Sequence, residues 1–241
     1  MKQAYSRSHL LLTLAATVAV LSLTGCNSLP GRPGPDPVLR PSQVLDFNTL
    51  FRDNCSGCHG TDGKGGAAIS LGDPVYQAFV DDATLRQVIT NGRHGTLMPA
   101  FGRSAGGTLT DQQIDVLVHG MRAHWANPSA LSNGAPPPYT PSAPGDATRG
   151  ANVYQDFCAI CHGPAGRGGG VAGSIVDGSF LGLVPDQELR TMIVVGVRGT
   201  AMPNWKNHVP GAMSSQEISD VVAWLGTQRP QFPGQPYEAA K

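Results

Sequence analysis

The sequence predicts an all-α protein built from two tandem copies of one unit, and three observations support this. Residues 55–66 match residues 158–169 at an offset of 103, and residues 85–114 match residues 189–218 at an offset of 104. Apolar residues recur at helical spacing near the end of each copy, and little of the chain has the two-residue period of a strand. An offset that changes by one residue over so long a stretch indicates a duplication.

The composition allows two small globular domains and excludes some functions. Of 241 residues only 14% are charged, below the roughly 25% of typical soluble domains. Gly and Pro together supply 31 plus 20 residues, which predicts many loops but not a wholly disordered chain. Without Lys2 and Arg7, which lie in the predicted leader, 15 basic residues face 17 acidic ones, a net charge of −2. Such a chain has no basic field to bind nucleic acid.

Residues 1–25 have the pattern of a bacterial export signal. Basic Lys2 and Arg7 precede an apolar run, Leu10–Leu23, that is short for a membrane span. The segment ends in Leu-Thr-Gly-Cys26, which resembles a lipobox, so we expect cleavage before Cys26 and lipidation of that residue. Several acyl chains, at about 0.8 kcal/mol per buried CH₂, would hold the protein at a membrane surface. An uncleaved anchor helix and an ordinary signal with an incidental cysteine are the alternatives.

Proline-rich stretches divide the remaining chain. Prolines favour an extended backbone and glycines loosen it, so these stretches are predicted to be a tether and a linker. The predicted segments are a signal peptide at 1–25, a tether at 26–40, a first domain at 41–126, a linker at 127–145, a second domain at 146–229 and a tail at 230–241.

Each domain is predicted to contain a helix that leads into its first cysteine, a central helix with an acidic first turn, and a capped closing helix. The predicted helices are Asp46–Asn54, one that begins within Asp81–Thr84 and one capped by Thr110 in the first domain, and Ala147–Phe157, one that begins within Pro185–Glu188 and one capped by Ser214 or Ser215 in the second. The closing helices bear core stripes at Ile114, Leu117, Val118 and Met121 and at Ile218, Val221, Val222 and Leu225.

Four of the five cysteines form two C-x-x-C-H motifs in register with the duplication. The motifs are Cys55, Cys58 and His59, and Cys158, Cys161 and His162. Two thiols at this spacing can add to the two vinyl groups of one haem, and the adjacent imidazole can then bind its iron. The motifs therefore predict two covalently bound haem c groups. Zinc would require further thiol or imidazole ligands at similar spacing, and a redox dithiol a βαβ context, and neither is present; disulfides are the third alternative.

A methionine in each domain is the candidate sixth ligand of the iron. Met98 lies 39 residues after His59 and Met202 lies 40 after His162, each within Gly-Thr-x-Met-Pro. The following proline favours an extended backbone, which suits a loop that presents a thioether to a metal. Lone methionines are more often core residues, which is the interpretation of Met121, Met192 and Met213. The rival ligands are His94, His119 and His208, none of which has a histidine at the equivalent position.

These motifs resemble class I bacterial c-type cytochromes, especially the small c domains of the third subunit of cbb-type oxidases. The resemblance rests on the run C-x-x-C-H-G-x-x-G-x-G-G and the later Met-Pro loop, both present twice. It implies two all-α cytochrome c domains with His/Met ligation that serve electron transfer. By the same resemblance Trp205 and Phe101 would pack near the haem edge, and Arg93 and Arg198 could face propionates, with solvated loop arginines as the alternative.

The two domains differ where their first and last helices are expected to touch. Gly150 and Tyr154 fit the family, but the first domain has Phe47 at the position of Gly150. It also has Gly120 where the second domain has Trp224. We therefore expect the helix contact in the first domain to be looser, or compensated elsewhere.

An iron bound by histidine and methionine has no free position for a substrate, which favours outer-sphere electron transfer over catalysis. The first hypothesis is a membrane-anchored di-haem carrier on the periplasmic side, between a respiratory or photosynthetic donor complex and a terminal acceptor. Free carrier and fixed subunit both remain open. The second is an enzyme, a di-haem peroxidase or thiosulfate-type dehydrogenase, which needs one displaceable axial ligand. A haem-based sensor is weakest because no signalling domain is recognised.

Overall fold

A computed structural model describes residues 39–131, 134–169 and 171–230. The predicted signal peptide, Cys26, most of the tether and the tail after residue 230 lie outside the described residues, so the expectations for them stay predictions. Residues from Pro41 onward belong to one compact unit. No helix among the described residues is both long and apolar enough to cross a membrane.

The described residues form two sets of five α-helices and no β-strand, which confirms the predicted all-α class. The first domain contains α1 (Phe47–Asn54), α2 (Ser56–His59), α3 (Pro74–Phe79), α4 (Asp82–Asn91) and α5 (Asp111–Trp125). The second contains α6 (Ala147–Phe157), α7 (Ala159–His162), α8 (Gly178–Leu183), α9 (Asp186–Val195) and α10 (Ser215–Thr227). Short 3₁₀ segments occur at Pro41–Gln43, Arg103–Ala105 and Pro128–Leu131.

The predicted closing helices begin where the sequence places them. The Thr110 side chain accepts from the N–H of Gln113, whose side chain accepts from Thr110 N–H in return. Ser214, not Ser215, makes the same reciprocal pair with Glu217 in the second domain. Each capping box satisfies two backbone donors that the first helical turn leaves free.

Two short helices, α3 and α8, lie where sequence analysis gave only loop. Each has six residues, and an aspartate, Asp73 or Asp177, accepts hydrogen bonds from the first N–H groups of the helix. Six residues make fewer than two turns, too few for an apolar period to stand out. The caps therefore define these helices more than their sequence pattern does.

The buried core of each domain lies between its first, central and closing helices. All eight residues of the predicted core stripes are buried, at most 7% exposed: Ile114, Leu117, Val118, Met121, Ile218, Val221, Val222 and Leu225. Met121 and Met213 are each 2% exposed, which confirms their interpretation as packing residues.

The two domains contact each other through α3 of the first and α9 of the second. The segment between α5 and α6 joins this contact, because the rings of Phe79 and Tyr139 lie 5.3 Å apart. Arg190 of α9 is 1% exposed and donates to the carbonyl oxygens of Pro138 and Tyr139, at 2.8 Å and 3.1 Å. The linking segment is thus bound to the second domain by a buried arginine.

Candidate haem-binding sites

Both C-x-x-C-H motifs lie at a break between two helices. Cys55 ends α1 and precedes α2 with φ −120° and ψ −36°, and Cys158 does the same between α6 and α7 with φ −117° and ψ −33°. His59 N–H donates to Cys55 O, and His162 N–H to Cys158 O, both at 3.0 Å. The duplication therefore preserves the backbone of the motif as well as its sequence.

The four described cysteines are free thiols, which argues against the disulfide alternative. Burial, and to a lesser degree the neighbouring Cys58 or Cys161, raises the pKa of Cys55 and of Cys158 to about 12. These thiols are therefore neutral at physiological pH and do not repel their neighbours. Among the described residues, no group of three or more His, Cys, Asp or Glu side chains is placed to hold a metal ion.

The orientation of each histidine is fixed by a carbonyl oxygen. His59 Nδ1 lies 2.8 Å from Ile69 O, and His162 Nδ1 lies 2.9 Å from Gly173 O. Because a carbonyl can only accept, Nδ1 bears the proton and Nε2 retains its lone pair for a metal. Burial lowers the pKa of His59 against the opposing effect of this hydrogen bond, so the imidazole is neutral.

These acceptors were not identified from the sequence. Ile69 and Gly173 are equivalent at the offset of 104, yet their side chains differ and only their carbonyl groups act. Any residue type can supply a backbone acceptor, so side-chain identity does not reveal which carbonyl oxygen binds the histidine. Only the offset of 104 between the two copies could have indicated that these two carbonyl groups are equivalent.

The glycine after each histidine is required by the turn that follows. Gly60 has φ 81° and Gly163 has φ 77°, a region that disfavours residues with a Cβ. A Cβ at Gly60 would lie 1.9 Å from Lys64 O, and one at Gly163 would lie 2.6 Å from Gly168 O. The turn folds the glycine-rich loop back so that Ala68 N–H reaches Cys58 O at 2.9 Å.

The two Met-Pro loops have the same hydrogen bonds. Arg93 N–H donates to Met98 O at 3.0 Å, Thr96 Oγ1 donates to Arg93 O at 2.8 Å, and Met98 N–H donates to Thr96 Oγ1 at 3.1 Å. Val197, Thr200 and Met202 repeat these three bonds at 3.3, 2.7 and 3.1 Å. The loop backbone thus fixes each methionine at the equivalent place.

Exposure separates the methionines from two of the three rival histidines. Met98 and Met202 are half-buried and pack against the core, as Cys55 and Cys158 also do. By contrast His94 and His119 are exposed. His208 is half-buried, with its ring 6.2 Å from that of Phe157.

The residues expected near the haem edge have well-defined partners. Trp205 N–H donates to Val194 O at 3.2 Å and Phe101 N–H donates to Ile89 O at 3.1 Å, acceptors that differ by one position between the two copies. Arg93 Nη1 lies 2.7 Å from Glu188 Oε2 of the other domain. The alternative of a solvated loop arginine is therefore wrong for Arg93.

The donor set of each domain fits one covalently bound haem. Two free thiols sit three residues apart at a helix break, an oriented imidazole follows them directly, and a thioether is presented by a separate loop. In each domain these residues could supply two attachment atoms and two iron ligands from different segments of the chain.

Comparison with known proteins gives a family. The model of the family described as "Cytochrome C oxidase, cbb3-type, subunit III" matches residues 42–119 and again residues 145–225. The two matches fall on the two helical domains and support their description as tandem cytochrome c domains.

Curated relatives are also named as subunits of cbb3-type cytochrome c oxidases. The cbb3-type cytochrome c oxidase subunit CcoP of Azospirillum sp. (strain B510) is 28% identical over 203 residues, covering 73% of this chain and 62% of the relative. Subunit FixP of Azorhizobium caulinodans is 30% identical over 180 residues, covering 70% and 56%. The chain thus spans less than two thirds of the length of these relatives.

Two solved structures overlap most of this chain at low similarity. The Kuenenia stuttgartiensis reducing HAO-like protein complex matches 76% of this chain and 96% of its own, at 17% identity and a TM-score of 0.46. Thiosulfate dehydrogenase (TsdBA) from Marichromatium purpuratum matches 76% and 42%, at 22% identity and a TM-score of 0.31.

Proposed function

The chain belongs to the cytochrome c oxidase cbb3-type subunit III family, and from that premise we propose that it is a membrane-anchored electron carrier with two covalently bound haem c groups. In this proposal it transfers electrons between a respiratory or photosynthetic donor complex and a terminal acceptor. It acts as an electron-transfer protein and not as an enzyme in its own right.

The observation that supports this proposal best is that the whole site occurs twice. The helix break, the carbonyl acceptor of the histidine and the hydrogen-bonded Met-Pro loop are repeated in both domains. A chain that needed one reactive iron and one relay iron would be expected to differ at one of its two sites.

Each residue of the site has a defined task. The thiols of Cys55, Cys58, Cys158 and Cys161 form the covalent attachments. His59 and His162 bind iron through Nε2, and their Nδ1–H donors hold the rings in place. Met98 and Met202 would bind the two irons through their thioether sulfurs. When bound, haem c supplies one centre per domain that exchanges a single electron.

This ligand set favours electron exchange without a bound substrate. A thioether is a soft ligand that stabilises the ferrous state, so both potentials are expected toward the positive end of the haem range. Ligands that stay in place on oxidation keep the structural rearrangement small. The core packing of Met98 and Met202 supports that condition.

Membrane attachment is proposed through lipidated Cys26, on the periplasmic side. The relatives are oxidase subunits by their printed names, so a terminal oxidase is the acceptor that the family suggests. The anchor is tested by treating cells that express the protein with globomycin and then extracting them with detergent. A lipoprotein accumulates as the uncleaved precursor, whereas an ordinary signal peptide is removed as before.

The ligand assignment is tested by Met98→Ala and Met202→Ala in the full protein. We expect two equivalents of haem in a pyridine haemochrome assay for both variants, and a lower potential for one haem only, a different one in each variant. Unchanged potentials in both variants would show that the methionines are not ligands. Rapid binding of carbon monoxide to the reduced wild-type protein would support the enzyme alternative instead.

A further inference from the structure

Among the described residues, two ion pairs cross between the domains, and each uses an arginine from a Met-Pro loop. Arg93 Nη1 lies 2.7 Å from Glu188 Oε2, and both side chains are buried to a similar degree, at 15% and 16% exposure. Arg198 Nη1 lies 3.8 Å from Asp73 Oδ2, and the Arg198 side chain is 50% exposed. The first pair is therefore shorter and better shielded from water than the second.

Arg93 is also a structural part of the loop that presents Met98. Its N–H donates to Met98 O, and its carbonyl oxygen accepts from both the N–H and the Oγ1 of Thr96, at 3.1 Å and 2.8 Å. Thr96 Oγ1 in turn accepts from Met98 N–H at 3.1 Å. Any force that holds the Arg93 side chain in place thus acts on a residue that closes the Met98 loop.

The second domain lacks this connection. Val197 occupies the position equivalent to Arg93 and makes the same backbone bond, to Met202 O at 3.3 Å. Its apolar side chain forms no ion pair. Arg198, the next residue, reaches Asp73 only at 3.8 Å from a half-exposed position. The first Met-Pro loop is therefore tied to the other domain much more firmly than the second.

The position and the surroundings of Glu188 favour its ion pair with Arg93. It lies in the first turn of α9, and its carboxylate faces Arg93 of the first domain. Tyr76 and Tyr139 lie near the pair, and burial raises the pKa of Glu188 while Arg93 opposes that rise. Removing either partner would leave a charge in a poorly hydrated place, which costs more than losing a surface pair.

We propose that Glu188 of the second domain is a positioning residue for the Met98 loop of the first, acting through Arg93, so that contact between the domains holds Met98 on the first haem iron. The proposal rests on the His/Met ligation proposed above. It makes the ligation of one haem dependent on the docking of the other domain, whereas the second haem keeps its ligand by the fold of its own domain.

The test measures how fast imidazole displaces methionine from the iron of the ferric protein. Displacement is monitored as the loss of the weak iron–sulfur absorption band. All variants are made in the full chain with a Met202→Ala background, in which Met98 is the only methionine expected on iron. We expect Glu188→Gln and Arg93→Gln each to accelerate displacement by at least about fivefold, the scale of a typical coupling between sites. The charge-exchanged double variant, Arg93→Glu with Glu188→Arg, should restore most of the original rate if the fold is kept.

The signs of the effects separate positioning from simple electrostatics. Removing a negative charge and removing a positive charge should shift the potential of the first haem in opposite directions, whatever the pair does to the loop. A positioning role instead predicts faster displacement in both single variants. Unchanged displacement rates with opposite shifts in potential would overturn the proposal.

The matched control is the weaker pair. Asp73→Asn in a Met98→Ala background is expected to leave displacement of Met202 within about twofold of its parent, because Arg198 is half-exposed. An equal acceleration there would show a general loosening of the domains and would also overturn the proposal. If the Met202→Ala parent has no iron–sulfur band, the assignment of Met98 as ligand fails first, and that outcome is visible before any pair variant is measured.

Discussion

The ring of Phe47 in α1 lies directly against Gly120 in α5, so that a Cβ added at Gly120 would stand 2.1 Å from a ring carbon. The second domain reverses the arrangement. There the glycine is Gly150 of α6, whose added Cβ would lie 2.0 Å from Asp220 O and 2.9 Å from the Cβ of Trp224. Each helix crossing therefore combines one glycine with one aromatic residue, on opposite helices. As expected, the crossing of α1 with α5 is looser than that of α6 with α10, and the Phe47 ring fills part of the space between the two helices.

Gly120→Ala is expected to destabilise the first domain. The new methyl group would displace the Phe47 ring, which also packs edge-on against Trp125 at 5.8 Å. Overpacking of this kind costs about 1–3 kcal/mol, more than the helix propensity that alanine gains. Calorimetry of the holoprotein should show the loss as a lower unfolding temperature.

Two further glycine variants calibrate this result. Gly150→Ala should cost more than Gly120→Ala, because it meets the backbone of Asp220 instead of a ring that can turn. Gly211→Ala has nothing within 4 Å and should be nearly neutral. A Gly120→Ala protein as stable as the Gly211→Ala protein would show that the Phe47 contact contributes little.

Arg122 and Arg229 perform the same task from positions that the duplication does not relate. Arg122 donates to the carbonyl oxygens of Gln77 and Val80 and pairs with Asp82 at 2.7 Å. Arg229 donates to Leu181 O and Val184 O, at 3.1 Å and 2.7 Å, and pairs with Asp186. The carbonyl groups are equivalent at the offset of 104, but the arginines are 107 residues apart. Alignment of the two copies therefore could not reveal that Arg122 and Arg229 have equivalent roles.

Arg122→Gln should destabilise the first domain by about 1–3 kcal/mol, because it leaves the carbonyl groups at the end of α3 without donors. Arg229→Gln should do the same for the second domain. Asp82→Asn is the control, since that carboxylate is 58% exposed and an exposed ion pair contributes at most about 1 kcal/mol. Urea unfolding of the three variants measures how much stability each one has lost. An equal loss in Arg122→Gln and Asp82→Asn would assign the effect to the ion pair instead of the carbonyl groups.

The features that could be predicted from the sequence are those determined by residues close together in the chain. Thr110 and Ser214 start their helices through contacts three residues away, and C-x-x-C-H is a local spacing, so both were visible in the sequence. The Arg93 and Glu188 pair joins residues 95 positions apart. It depends on how α9 meets the first domain, which no local pattern describes. The short helices α3 and α8 were missed because their period is too brief.

Arg190→Gln is expected to release the linking segment from the second domain. Arg190 donates to Pro138 O at 2.8 Å and to Ser215 Oγ at 3.0 Å from a nearly fully buried position. A glutamine cannot reach both partners, so the buried carbonyl loses its donor. Limited proteolysis should cut residues 134–145 about tenfold faster, which corresponds to roughly 1.4 kcal/mol.

Arg86→Gln is the matched control for that experiment. Arg86 is equivalent to Arg190 at the offset of 104, but it pairs with Asp115 within the first domain. It should leave cleavage of the linking segment unchanged. Faster cleavage in both variants would indicate general destabilisation, and unchanged cleavage in Arg190→Gln would show that the segment is held by other contacts.

The second domain should lose stability in acid through Asp220, whose side chain is 4% exposed. Hydrogen bonds from Arg149, with further ones from Asp146 N–H and Gln216, hold the pKa of Asp220 below its usual value although burial opposes them. As the pH falls, the unfolded chain therefore takes up its proton first. The stabilisation is complete above the unfolded carboxyl pKa of about 4 and is lost as the pH falls through the lower folded value.

Asp220→Asn should consequently destabilise the second domain by about 1–3 kcal/mol at pH 7, where a charged acceptor is lost, and by less at pH 3. Calorimetry at both pH values measures the difference between wild type and variant. The first domain has Val116 at the equivalent position, so its own transition should not respond to this substitution. Protonation of Asp220 and its replacement by asparagine remove the same negative charge. The difference in stability between the wild type and the variant therefore has to narrow in acid. A gap that stays constant would mean that Asp220 stabilises the domain by packing and not through its ion pair with Arg149.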